Sequence, residues 1–247
     1  MLSSIRAGLI LALCVLSFHS SASSDLGKHV MAVSQSMSAF YMYSLSEGDT
    51  RYKNEYEQYF EDAQSHLTIF QKQDAVAANE LQVHWDKLRP ELKYEYVDGA
   101  GFIIPVSVRN EFRGYLSNAF SKYLKVATNE QAGSKDLANM ALSVEVMSAR
   151  FFDVSSALYG TMSISNTNNV VDPIKMSKKL NIGFDRIQDS GMNEKVKRTM
   201  RLVQTKWRFI QESVINYEGE AAYLLVYYNK SQIHKLLNKS QRMLAGA

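Results

Sequence analysis

Cysteine is all but missing from this chain: of 247 residues only Cys14 is one, and it falls in the N-terminal leader. Beyond the leader, disulfides, thiolate nucleophiles and cysteine-based zinc or iron–sulfur sites are excluded. Stability must then come from an ordinary apolar core, which 46% hydrophobic residues can supply. Punctuating residues are scarce too. Three prolines and 12 glycines favour long, uninterrupted helices. An excess of one charge is also absent: 28 basic residues face 25 acidic ones, and the net +3 falls by one if Arg6 leaves with the leader. Near-balance excludes the basic footprint of a nucleic-acid binder. The densest basic group, Lys195, Lys197, Arg198 and Arg201, reads as a solvated helix face.

Long apolar runs are missing after the first 24 residues. The leader itself, Met1–Ser24, has a lone Arg6, the apolar run Ala7–Phe18 and the small residues Ser20–Ser24. That is the layout of a secretory signal peptide. Its apolar run is shorter than the ~20 residues a membrane-spanning helix needs. Leu13 before Cys14 is too large for a lipoprotein cleavage site. The reading is a signal peptide over 1–24 and a mature, exported, periplasmic chain beginning between Ala22 and Asp25.

Apolar residues recur at steps of three and four along the rest of the chain. One series is Leu26, Val30, Val33, Met37, Phe40 and Ser44; a second is Tyr52, Tyr56, Tyr59, Ala63, His66 and Phe70. Ala78, Leu81, Trp85 and Leu88 make a third, stopping near Pro90. Phe112, Leu116, Phe120 and Tyr123 make a fourth. The fifth is unbroken from Leu137 through Met140, Val144, Met147, Phe151 and Val154 to Leu158. Asp172-Pro173 caps a sixth, with Met176, Leu180, Phe184 and Ile187. Val196, Met200, Val203, Trp207, Ile210 and Val214 form a seventh. Leu224, Tyr228, Ile233, Leu237 and Leu244 form the last. Sustained spacing of this kind predicts an all-α, antiparallel helical bundle. Tyr94–Val108 breaks the pattern and reads as an ordered apolar loop or short hairpin; Ser163–Val171 reads as a polar surface loop.

The halves echo each other. A shift of 114 sets Val30 on Val144, Ser34 on Ser148 and Met37 on Phe151, and a later shift of 122 sets Trp85 on Trp207. Two tandem four-helix bundles related by internal duplication follow, over 25–130 and 131–247, with the boundary near Gln131–Ser134 and the tryptophans as matched core anchors. One long bundle remains the alternative.

Val33-Ser34-Gln35-Ser36-Met37-Ser38-Ala39-Phe40-Tyr41-Met42 resembles the opening helix of PilJ-type domains. These are periplasmic helical sensor modules of type IV pilus chemotaxis transducers, related to the input domains of nitrate-sensing kinases. Ser34, Gln35, Met37 and Tyr41 match that helix, and the tryptophans at Trp85 and Trp207 look like the family's third helix. The resemblance implies a ligand-sensing or signal-relay module that acts in trans on a membrane receptor or envelope complex. It implies a site for a small anion or small polar ligand at Ser34 and Gln35 in one half and Ser148 and Arg150 in the other. The family's two arginine positions are Met31 and Ser36 here, so the first half suits a neutral ligand or none; Arg150 restores one of them in the second.

Other chemistry has no support in the sequence. No hydrolase, phosphate-loop or dinucleotide motif occurs, so the chain reads as a non-enzyme without cofactor or metal. Asp62–His66 and Glu80–His84 read as structural polar pairs, and Glu57, Glu61 and Asp62 as a solvated face. Tyr41, Tyr43, Tyr94, Tyr96, Tyr223, Tyr227 and Tyr228 do not all fit one seam; core filling accounts for most, and Tyr223, Tyr227 and Tyr228 mark a candidate interface, with a homodimer left open. A protein-binding structural or assembly factor of the envelope, pilus- or secretion-related, is the alternative function.

Overall fold

The computed structural model describes residues 25–91, 93–99, 101–127, 134–157, 171–216 and 222–245. The leader, Leu158, the 163–170 stretch of the polar loop and the 131–133 stretch of the proposed boundary lie outside the described residues. Within them the chain is all-α: α1 (25–45), α2 (Thr50–Gln71), α3 (Ala75–Glu91), α4 (Val106–Ala127), α5 (Ser134–Ser155), α6 (Pro173–Asp189), α7 (Glu194–Asn216) and α8 (Tyr223–Ala245). The sole strands among these residues, β1 (Glu95–Val97) and β2 (Gly101–Ile103), form an antiparallel hairpin between α3 and α4.

Local chemistry starts and stops these elements. Asp49 caps α2 by accepting from the Arg51 amide, and Asp172 caps α6 by accepting from Lys175, with Pro173 in the first turn. The α1–α2 turn needs Gly48. Its φ is +90°, and an added Cβ would stand 2.4 Å from the Phe102 ring. That ring belongs to the hairpin, which closes over the end of α1: Tyr94 stacks on Phe40 at 4.4 Å, and Ser44 donates to the Phe102 carbonyl.

Neighbouring helices run antiparallel. His29 meets Ala63 at one end of the α1–α2 pair and Ser36 meets Tyr56 further along. Phe60 stacks on Trp85 between α2 and α3, and Trp85 packs on Tyr115 of α4. In the later part α5, α6, α7 and α8 pack on one another. Contacts also cross between these sets: Tyr123 of α4 donates to Asn139 of α5, and Tyr52 of α2 packs on Tyr227 of α8. Buried apolar side chains from all eight helices join in one continuous core.

Two helices are sunk deepest. From 25 to 42, α1 is buried everywhere except along Gly27, Lys28, Met31 and Gln35, and α5 is buried nearly all round from Leu137 to Val154. For α1 the physical reason is composition. No charged residue occurs between His29 and Ser46, and the serines return their hydroxyls to helix carbonyls, Ser34 to Val30 and Ser38 to Ser34, each at 2.8 Å.

Two of the predicted seams are displaced. On α2 the residues that go inside are Phe60 and Leu67, while Tyr59 and His66 stay half-buried. On α8 Leu224 and Tyr228 are exposed, and Val226 and Lys230 take the inward positions. Tyr59 and Lys230 both stand at a polar cavity, and that pulls each helix off its simplest apolar register.

His29 is a core histidine. Nδ1 lies 2.8 Å from the Ala63 carbonyl, which can only accept, so Nδ1 carries the proton; Nε2 accepts from the Tyr115 hydroxyl at 2.8 Å. Burial lowers its pKa to about 4, against the opposing pull of the Ala63 bond. A folded-state pKa below the unfolded one favours folding while the ring is neutral. Stability from His29 is therefore complete above the ordinary value of 6.5 and is lost as pH falls toward 4, by about 3 kcal/mol. Urea unfolding at pH 7 and pH 4.5 should show this loss in wild type and a shallower one in His29→Gln. Parallel losses in the two proteins would contradict it.

Candidate functional site

A cavity of about 330 Å³ opens where α1, α2, α5 and α8 meet. Gln35, on the half-buried line of α1, is that helix's one residue on its wall. Glu55 and Tyr59 come from α2, Glu145 from α5, and Tyr227, Lys230, Ser231, His234 and Lys235 from α8. Spacing along α8 explains its share: residues 227, 230, 231, 234 and 235 fall on one helical face.

The centre of the wall is a buried ion pair. Lys230 donates to Glu145 Oε2 at 2.8 Å, with side-chain exposures of 5% and 1%. The Lys230 ammonium also lies 4.9 Å from the centre of the Tyr227 ring, and the Tyr227 hydroxyl donates to Glu55. His234 Nδ1 stands 3.6 Å from the second Glu145 oxygen, too far for a hydrogen bond, while Nε2 meets Asn238 at 2.9 Å. Burial lowers the His234 pKa; Glu145 opposes that shift and Lys230 adds to it. Tyr59 is pushed up to about 12 by burial and by the carboxylates of Glu55 and Glu145.

Several polar groups on this wall make no hydrogen bond among the described residues: the Gln35 amide, the Tyr59 hydroxyl, Glu145 Oε1, Ser231 Oγ, His234 Nδ1 and Lys235 Nζ. Lys235 is exposed, Gln35, Tyr59 and Ser231 are half-buried, and His234 Nδ1 is shut off from solvent, so a polar occupant could engage all of them. The wall thus presents donors and acceptors to a polar molecule.

The four residues expected to bind a ligand do not converge. Gln35 lines the cavity. Ser34 is buried one residue away and bonded to its own helix. Ser148 is fully buried, with a hydroxyl that has no partner among the described residues. Arg150 belongs to a different cluster, where its Nη1 donates to Asp153 at 3.2 Å. Trp85 and Trp207 are both core residues, 1% and 0% exposed.

That second cluster locks α4 to α5. Arg113 grips Asp153 with both Nε and Nη2, at 2.7 and 3.0 Å. Arg109 donates to the Asp153 and Ser156 carbonyls at the end of α5 and lies over the Tyr41 ring at 5.2 Å. Three guanidiniums thus surround one fully buried carboxylate. Burial and the neighbouring Asp153 raise the Tyr41 hydroxyl well above its ordinary pKa.

Glu57, Glu61 and Asp62 are exposed. Glu80 and His84 do not pair with each other: Glu80 takes Lys122, and His84 lies 3.4 Å from Asn118. Among the described residues, no group of three His, Cys, Asp or Glu stands where it could hold a metal. Comparison with known proteins returns no match to this chain among family models, curated proteins or solved structures.

Proposed function

We propose that this chain is an exported, ligand-responsive helical module that senses a small polar molecule and relays its presence in trans to a membrane receptor or envelope complex. The observation that carries the proposal is the cavity's position. Its walls come from α1 and α2 on one side and α5 and α8 on the other, so an occupant touches both helix sets at once. A ligand that binds one relative placement of the sets better than another shifts their equilibrium, which is the minimal physical requirement for a relay.

Two tandem four-helix bundles related by duplication suit this scheme. Support comes from the deep burial of both α1 and α5, the aspartate caps before α2 and α6, and a buried tryptophan in both α3 and α7. The sensor reading draws on the PilJ-like pattern at Ser34, Gln35, Met37 and Tyr41. Export rests on the leader, and no helix among the described residues is long and apolar enough to cross a membrane.

The test is a thermal-shift screen of small polar metabolites against the mature chain. A ligand at ~100 times its dissociation constant adds about 2.7 kcal/mol to stability. At least one class of compound should raise the midpoint, and Gln35→Trp, which sets a large ring on the cavity wall, should abolish the rise. With no rise for any compound, a protein-only assembly factor becomes the better reading. One observation favours it: Phe209, Leu224, Leu225 and Tyr228 lie exposed on α7 and α8.

A further inference from the structure

The cavity's charges are sorted by helix. α8 supplies the cationic side, with Lys230 and Lys235, and the imidazole of His234 between them. α2 and α5 supply the anionic side, with Glu55 and Glu145. Two carboxylates and two ammonium groups leave the site without net charge when the imidazole is neutral, the form that its burial favours.

This balance discriminates among ligand classes. A ligand with net charge would bring an uncompensated charge into a partly desolvated site. An apolar ligand would strip water from the unengaged groups and return no hydrogen bonds. A molecule with one charge of each sign meets neither penalty. The groups left over after the internal pairs form are of both kinds: Glu145 Oε1 accepts, Tyr59 and Ser231 can do either, and Lys235 donates with a full charge.

We infer that the cavity binds a small zwitterion of the α-amino acid class, its ammonium directed to Glu55 and the free oxygen of Glu145 and its carboxylate to Lys235 and Ser231. The inference rests on reading the cavity as a ligand site. A volume of about 330 Å³ lies at the small end of the range for ligand pockets. It has room for one amino acid. Gln35 and Tyr59 supply the neutral donors and acceptors that distinguish one side chain from another.

The experiment is isothermal titration of the mature chain with the common α-amino acids, one at a time. The tightest binder is then compared with its matched amine, lacking the carboxylate, and its matched acid, lacking the ammonium. At least one amino acid should bind with a dissociation constant below about 1 mM, and both matched compounds should bind at least about tenfold more weakly. Glu55→Gln and Lys235→Met alter side chains outside the buried pair and should leave the thermal midpoint in place. Each should weaken amino-acid binding by about tenfold to a hundredfold, a lost charge-assisted hydrogen bond.

An amine or an acid that binds as tightly as the amino acid overturns the zwitterion assignment while leaving the ligand site standing. So does a metabolite hit, abolished by Gln35→Trp, in a screen where every amino acid fails. If no compound of any class binds, the assignment and the sensing function fall together. Unchanged affinity in both Glu55→Gln and Lys235→Met also overturns it, since the charged ends would then have no role.

Discussion

Asp153→Ala should cost the protein about 3–5 kcal/mol, the penalty of removing one partner from a buried charge cluster. Asp153 is fully buried and its carboxylate is shared by Arg109, Arg113 and Arg150. Without it, Arg109 and Arg113, themselves 4% and 6% exposed, lose the carboxylate they share. Arg109 would keep its carbonyl partners at the end of α5, but Arg113 would lose its two-pronged grip. For a chain of this size, that loss lowers the thermal midpoint by about 10 °C or more. Arg150→Ala is the control: its single bond is at the partly open edge of the cluster, and its removal should cost no more than about 1 kcal/mol. A midpoint for Asp153→Ala within 2 °C of wild type, on the order of 1 kcal/mol or less, would show that α4 and α5 are not held together this way.

Trp85→Ala and Trp207→Ala should each cost about 3–5 kcal/mol, the usual effect of emptying a large aromatic site. Trp85 is wedged among Phe60 at 4.0 Å, Tyr115 at 4.9 Å and His29 at 5.6 Å, so its loss leaves three rings facing a void. Trp207 is fully buried in the α7 seam with Val203 and Ile210 on the same face. Neither indole N–H has a hydrogen-bond partner among the described residues, so the stabilisation comes from packing and Phe should recover most of it at both positions. Chemical denaturation of the four variants checks this. An unaffected midpoint for either alanine variant would remove that residue from the core and weaken the case for duplication.

The helices themselves were legible because most of their seams are plain. On α7 every residue of the series from Val196 to Val214 is buried, and on α6 the cap, the first-turn proline and the seam from Met176 to Ile187 all stand as read. The exceptions are physical. A strict apolar count put Tyr59 and His66 inside α2 and Leu224 and Tyr228 inside α8, yet both helices turn to face the polar cavity instead. The all-round burial of α1 had a signal that periodicity hides, the absence of charge between His29 and Ser46.

The cavity was harder to see. Gln35 stood out through a resemblance, and Tyr227 through an excess of tyrosine. Glu55, Glu145, Lys230 and His234 carry no motif. Their roles depend on pairing across 85 residues in the case of Lys230 and Glu145, and across 172 for Tyr227 and Glu55. No local pattern encodes such partners. Arg150 was singled out as a ligand arginine on the same local grounds, and tertiary packing gives it to Asp153.

The most direct test of the account is nuclear magnetic resonance of the mature chain, titrated in turn with the common amino acids. The account predicts shifts at Gln35, Tyr59, Tyr227 and His234 together, because one occupant touches α1 and α2 as well as α8. Shifts gathered instead around Arg150 or on the exposed face of α7 and α8, or no shift with any amino acid, would contradict it.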